Sequence, residues 1–482
     1  MRSLSSIITV FACLLLATEV LAGGGDPTEI VDLRKMVEQL HKNRDMASAS
    51  LGICVTDVET GEVLLGYGQE QSLAPASVMK LVTTASALIV LGEDYRFETV
   101  IEYDGNISMD GVLDGNLYIR GGGDPTFDIS QLQEFVAGEL GIKEIKGGIV
   151  ADATLFDYQL APSKWNWEDL GNYYGAGASG LSFCRNTYVL RFKSTAPDSL
   201  TTILGVEPEI PDLKFFNEVK GGPKGSGDNA YIFGGPYSYD RYVRGTITPY
   251  RNEFTIKGSA PDPAYWAAWT LDKLLREKGV AISNQPTTLR LTPTANRMLK
   301  RTLLKSFRSE PLHEIVKETN EKSVNLFAEA MLKMMGAKVK GEGSTEAGIE
   351  VVEELWEERG LDLNGFFMED GSGLSRFNAI TAEQMVNLLV KMQRTKEKDA
   401  FFSSLAIAGK TGTFKYLCRG EAAAERVFGK SGTIKRVKCY SGYIKTYSGR
   451  LLAFSMLVNN YEMKTRPMVQ SLEGILNQMV RL

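Results

Sequence analysis

Two kinds of sequence alternate along this chain, and the change between them restricts the fold more than any single residue does. Residues 26–45 read as an amphipathic helix. ASLGICVTDVETGEVLLGYG then alternates as a hairpin with its turn at Glu59-Thr60-Gly61. SVMKLVTTASALIVLG reads as a helix with Ser77 in its first turn and Gly92 as its stop. From about residue 98 to 280 the grammar changes: GNLYIRGGGDPTF, IKGGIVADATLF and NTYVLRFKST are short strand-like runs broken by Gly, Pro and Asp turns. PDPAYWAAWTLDKLLREKG restores a helical period, and from about 281 helices lead into a closing β meander.

A length of 482 residues suits two or three domains. A formal net charge of −5 gives no electrostatic footprint for nucleic acid. The start reads as a secretory signal over residues 1–22. Arg2 carries the charge, Ile7 to Ala17 is almost wholly apolar, and Val20-Leu21-Ala22 forms the cleavage site. The other reading of that run is a membrane anchor, for which it is short. The mature chain is therefore expected outside the cytoplasmic membrane, most simply in a periplasm, without a stable membrane anchor. RPMVQSLEGILNQMVRL at the C-terminus is expected to pack on the meander rather than lie on a membrane surface.

Cys54, Cys184, Cys418 and Cys439 fit neither a disulfide framework nor a zinc spacing. A single Cys418–Cys439 bridge and buried free thiols both remain open. Only His41 and His313 are available, each in a charged, helix-like stretch, so hydrolytic chemistry here is expected to use a base other than histidine.

Three motifs carry chemistry. Ser77-Val78-Met79-Lys80 is the one S-x-x-K; on a helix, positions i and i+3 share a face, so hydroxyl and amine can meet. A lysine amine takes a serine proton only when partly neutral, and burial in an apolar helix, with help from a nearby cation, lowers its pKa. Ser323-Val324-Asn325 is the one S-x-N; it reads either as a cap for LFAEAMLKMMG or as a proton relay with a substrate-holding amide. Lysine–hydroxyl–glycine occurs twice, as Lys410-Thr411-Gly412 and Lys430-Ser431-Gly432. The second heads the meander, and its glycine would allow a substrate backbone to approach closely. The first runs into the turn-like KYLCRGEAAAERV. Lys430 is therefore assigned to the cleft and Lys410 to a loop.

In that order the three motifs make up the set of penicillin-binding proteins and class A β-lactamases. The chain resembles the serine D-alanyl-D-alanine carboxypeptidases of the penicillin-binding-protein-4 type, peptidase family S13, over nearly its whole mature length. LAPASVMKLVTTASAL matches that family's nucleophile segment, and TNEKSVNLFAEAMLK, EDGSGLSRFNAIT and GKSGTIKRVKCYSGYI match its C-terminal half. LYIRGGGDPTF, WNWEDLGNYYGAGASGLSF and FGGPYSYDRYVRGTI match its inserted region. The 246 positions from Ser77 to Ser323 leave room for such an insertion, which a compact β-lactamase lacks.

The resemblance implies an α+β chain. A transpeptidase/β-lactamase-like domain (23–97 and 281–482), an antiparallel sheet flanked by helices, is split by a β-rich insertion (98–280). It implies Ser77 as nucleophile, Lys80 as base, and Ser323 and Lys430 as proton carriers to the leaving amine. The backbone N–H groups of Ser77 and Thr433 form the oxyanion hole. Asn325 holds the substrate amide, Lys430, Ser431 and Thr433 attract its terminal carboxylate, and Gly432 completes the triplet. Many family members have threonine where this chain has Ser431; the hydroxyl is kept. Asp169, Tyr174 and Arg376 match positions lining the substrate side-chain pocket. From the residues alone, Asp169 and Arg376 also read as a surface ion pair and Tyr174 as core packing. The implied substrates are peptidoglycan peptides ending in D-Ala-D-Ala, with β-lactams as inhibitors and neither metal nor organic cofactor. An endopeptidase acting on D-alanyl cross-links would use the same residues. A β-lactamase would need an extra base that no motif supplies, and a non-catalytic wall-binding protein would be expected to have lost a motif.

Overall fold

The computed structural model describes residues 27–139, 141–292 and 300–482, so the expected signal at 1–22 lies outside the described residues. A six-stranded antiparallel sheet runs in the order Ala406–Ile407, Val427–Ile434, Val437–Lys445, Leu451–Asn459, Ser50–Asp57, Val63–Tyr67. The meander is the expected one, and the N-terminal hairpin completes its sheet from the far end of the chain.

Strand alternation sorts the two faces. Leu51, Ile53 and Val55 pack with Leu33 and Val37 of helix Pro27–His41 and with Leu472 and Leu476 of helix Thr465–Met479. The C-terminal helix therefore buries its apolar side on the sheet. Cys54, Tyr443, Ala453 and Leu457 face the opposite side, against helices Met79–Leu91, Asn325–Val339 and Ala382–Met392. Burying each large apolar side chain contributes about 1.5–3 kcal/mol, so both layers are firmly held. Among the described residues no helix is long and apolar enough to cross a membrane.

The intervening segment builds four further sheets around a core that includes Phe127, Phe183 and Trp266. Its entry and exit strands, Glu98–Tyr103 and Thr302–Arg308, pair antiparallel, so the chain leaves and re-enters the first layers at one place. Beyond residue 281 three strands still pair with strands of the 98–152 segment. Ala281–Ile282 pairs with Glu144–Ile145, Thr287–Thr288 with Val150–Ala151, and Thr302–Arg308 with the entry strand. Two-residue strands are too short to carry an alternation signal, so their allegiance shows only in the pairing.

All four described cysteines are free. The Cys418–Cys439 bridge does not form because the thiols sit in cores on opposite faces of the sheet. Cys418 Sγ points at the Glu473 carbonyl and Cys439 Sγ at that of Ala74.

Candidate active site

Ser77 lies in a 3-10 turn, Ala76–Val78, that feeds directly into helix Met79–Leu91. Ala76 holds a left-handed φ of 47°, costly for a residue with a Cβ. Two glycines press on this turn. A Cβ on Gly432 would stand 2.4 Å from the Pro75 carbonyl oxygen, and one on Gly373 would stand 1.9 Å from that of Ala76. The backbone that presses on Gly432 is thus that of the Pro75–Ser77 turn, not a substrate's as the sequence suggests. Gly432→Ala is expected to push Ser77 out of line and lower penicillin acylation by about 10²-fold, the usual effect of an ångström-scale misplacement. Stopped-flow acylation checks this, with the thermal melt as a control; acylation within a few-fold of the parent would refute it.

Lys80 follows one turn after Ser77 and is completely buried. Its Nζ lies 3.0 Å from Ser77 Oγ, 2.6 Å from Asn325 Oδ1 and 2.6 Å from the Ser372 carbonyl oxygen. Burial lowers its pKa to about 7, against the opposing pull of Asp370 and Glu329. A neutral amine has two N–H groups and one lone pair. Asn325 and Ser372 accept the two N–H groups, so the lone pair faces the Ser77 hydroxyl.

Ser323 and Asn325 do not cap helices through their side chains. Ser323 ends helix Leu312–Lys322 in the left-handed conformation (φ 60°, ψ 44°), Val324 is the next N-cap, and Asn325 opens helix Asn325–Val339. Both side chains are consequently available to the cleft. Asn325 Nδ2 donates to the Tyr174 carbonyl at 2.7 Å, which turns its Oδ1 toward Lys80. Ser323 Oγ accepts from Lys430 Nζ at 2.8 Å. The Lys430 amine, also fully buried, donates to the Ser431 carbonyl too. Burial first, then the Lys80 and Lys438 charges, hold its pKa well below the usual lysine value.

Lys410 is placed differently. It follows the edge strand Ala406–Ile407, and its exposed ammonium pairs with Glu425 at 2.9 Å. That edge strand covers only Phe428 and Gly429 of its neighbour. Among the described residues, Lys430 to Ile434 therefore keep an open strand edge, to which an extended peptide can add.

Ser77, Ser323, Asn325 and Thr433 line a cleft of about 720 Å³ together with Asp169, Tyr174 and Arg376. Burial raises the Asp169 pKa, while Asn166, Tyr174 and Arg376 oppose the rise. No ion pair closes between Asp169 and Arg376 among the described residues, and Tyr174 is half-buried rather than core. Neither histidine lines this cleft: His41 meets the Tyr67 hydroxyl and His313 the Glu93 carbonyl.

Two buried acids escape a reading of the sequence. Glu329 accepts the N–H groups of Gly371 and Ser372 at 3.0 and 2.8 Å. Asp370 accepts those of Gly373 and Ser375, the Asn378 amide and the indole N–H of Trp165. Together they shape the loop that aims the Ser372 carbonyl at Lys80. Burial first, then Asp370, push the Glu329 pKa up to about 8. A signal existed: in LFAEAMLKMMG, Glu329 and Lys333 interrupt an otherwise apolar helix. Lys333 is buried too and reaches Asp157 Oδ1 and the Gln159 carbonyl, each at 2.6 Å. With the Trp165–Asp370 bond, this fixes the inserted segment against the site.

The model of the D-Ala-D-Ala carboxypeptidase 3 (S13) family matches residues 33–479. A D-alanyl-D-alanine carboxypeptidase of Actinomadura sp. (strain R39) is 30% identical over 448 residues, covering 90% of this chain and 82% of that protein. The D-alanyl-D-alanine carboxypeptidase DacB of Haemophilus influenzae is 24% identical over 496 residues and the full length of both chains. The crystal structure of penicillin binding protein 4 (dacB) from Haemophilus influenzae superposes with a TM-score of 0.81 at 23% identity, covering 94% of this chain and 99% of that one. This is the fold of a transpeptidase/β-lactamase-like domain carrying an insertion, and with a family model that spans almost all the described residues, the chain belongs to the D-Ala-D-Ala carboxypeptidase 3 (S13) family.

Proposed function

We propose that the protein is a penicillin-binding serine carboxypeptidase that removes the terminal D-alanine from peptidoglycan stem peptides. The observation that carries this is the Lys80 amine, fully buried and held by two acceptors so that its free position meets Ser77. Ser77 Oγ attacks the carbonyl carbon of the penultimate D-alanine while its proton passes to Lys80. The N–H groups of Ser77 and Thr433 receive the oxyanion, and losing one donor of this kind typically costs about 10²–10³ in rate. The peptide C–N bond then breaks. The proton on Lys80 passes to the departing D-alanine nitrogen by way of Ser323, which is in contact with Lys430, leaving Lys80 neutral to take a proton from the water that follows. Water attacks the remaining ester, restoring the Ser77 hydroxyl and releasing the shortened peptide.

Lys430, Ser431 and Thr433 attract the terminal carboxylate, with Gly432 giving the nucleophile turn its place. Asn325 holds the substrate amide, and Asp169, Tyr174 and Arg376 receive the side chain of the stem peptide. A β-lactam enters as a mimic and stalls as the acyl-enzyme. Residues 1–22 direct the chain across the cytoplasmic membrane, most simply into a periplasm.

Lys80 gives the reaction its pH dependence. Above about 7 its amine is neutral and accepts the proton; below, it is charged and cannot. Acylation is expected to fall close to tenfold per pH unit on the acid side and to level off above neutrality. D-alanine release from a D-Ala-D-Ala peptide, measured from pH 5 to 9, tests both parts. No release at any pH would overturn the reaction; a flat profile would remove Lys80 as base.

A further inference from the structure

Beside Lys80 and Lys430, the two lysines that the proposed chemistry uses, a third amine bonds to the strand Val427–Ile434. The third, Lys438, lies on the neighbouring strand Val437–Lys445, directly across from Thr433 in the antiparallel register. Ser431 stands opposite Tyr440 in the same ladder, so Ser431, Thr433, Lys438 and Tyr440 share one face of the sheet. Lys438 Nζ donates to Thr433 Oγ1 at 2.9 Å and sits 5.0 Å from the centre of the Tyr440 ring. That ring is almost wholly buried, so the stem of Lys438 rests on a fixed surface. No carboxylate pairs with Lys438 among the described residues.

We propose that Lys438 is a positioning residue for the substrate's terminal carboxylate, acting through the Thr433 hydroxyl. A threonine hydroxyl has one proton to donate and two lone pairs. With the ammonium on one lone pair, the proton turns away from Lys438 and into the cleft that Thr433 lines. A carboxylate arriving along the open strand edge then finds an O–H already aimed at it, beside an ammonium with no acid of its own. Burial lowers the pKa of Lys438, and its charge in turn depresses that of Lys430, so the two amines act within one field. A bound carboxylate relieves that repulsion, which makes Lys438 part of the preference for substrates that end in a free acid. The inference rests on the reading of Lys430 to Thr433 as the carboxylate site.

The test uses the full mature chain and two thioester acyl donors with one acyl group. One ends in a carboxylate, the other in the matching carboxamide. The parent is expected to prefer the acid. Lys438→Met is expected to lower kcat/KM for the acid by about 10- to 100-fold, mainly through KM, as loss of a charge-assisted contact does. The amide should change by less than twofold, and Lys438→Arg should restore most of the preference. An equal fall for both donors would make Lys438 merely structural and overturn the inference, as would no fall for either. A parent that turns over both donors without preference removes the carboxylate site itself. A parent that is not acylated by either removes the proposed reaction.

Discussion

Ser77→Ala leaves labelled penicillin with no residue to acylate. Peptide mapping of the treated parent should find the label on Ser77 alone, and the variant should carry none. The expectation follows from the geometry, since Ser77 is the hydroxyl that meets the lone pair of Lys80. Ser323 Oγ already accepts from Lys430 and does not contact Lys80 in the same way. D-alanine release should fall by at least about 10³-fold, since removing the nucleophile from a serine hydrolase leaves only binding and oxyanion stabilisation. The fold should survive. The lost hydroxyl makes one bond, to an amine that keeps Asn325 and Ser372 as acceptors. A change of a few degrees in Tm is all that such a deletion supports. Label on another side chain of the variant, or D-alanine release near the parent rate, would overturn the assignment of the nucleophile.

How far the sequence reaches depends on how local the cause is. Ser77 and Lys80 meet because a helix brings i and i+3 to one face, and four residues of sequence state that fully. The meander follows from alternation and is just as local. Ser323 and Asn325 are legible as a motif, yet the reason their side chains are available is not. It lies in a left-handed residue between two helices, and no composition rule demands that of a serine. Gly432 is legible as a glycine, but its partner is the Pro75 carbonyl, over three hundred residues away in the chain. Glu329, Asp370 and Lys438 act through backbone N–H groups or a cross-strand hydroxyl, so their roles need register and tertiary contact. The same limit hides Ala281–Ile282 and Thr287–Thr288, two-residue strands that declare themselves only by pairing.

Lys430→Ala should lower acylation by penicillin and cleavage of a D-Ala-D-Ala peptide by about 10²–10⁴-fold, the range for loss of a positioned proton carrier. Lys410→Ala should leave both activities within a few-fold of the parent. The two lysines belong to near-identical triplets twenty positions apart, so only their surroundings distinguish them. Lys410 makes an exposed ion pair with Glu425, with side chains 57% and 65% accessible, and such pairs contribute about 0–1 kcal/mol. Lys430 is buried, holds Ser323 Oγ, and lies within the electrostatic reach of Lys80. Its removal takes away both the Ser323 contact and the amine that meets the carboxylate. It also empties a packed site, so Lys430→Met, which keeps most of the volume, should be measured beside it at equal folded fraction. If methionine restores the melt but not the activity, the amine itself is required. Activity retained in both Lys430 variants and lost in Lys410→Ala would transfer the cleft to the first triplet. That would require the Ala406–Ile407 edge and the loop after it to open toward Ser77, whereas here Gly412 packs against the Glu321 backbone and Lys410 faces solvent.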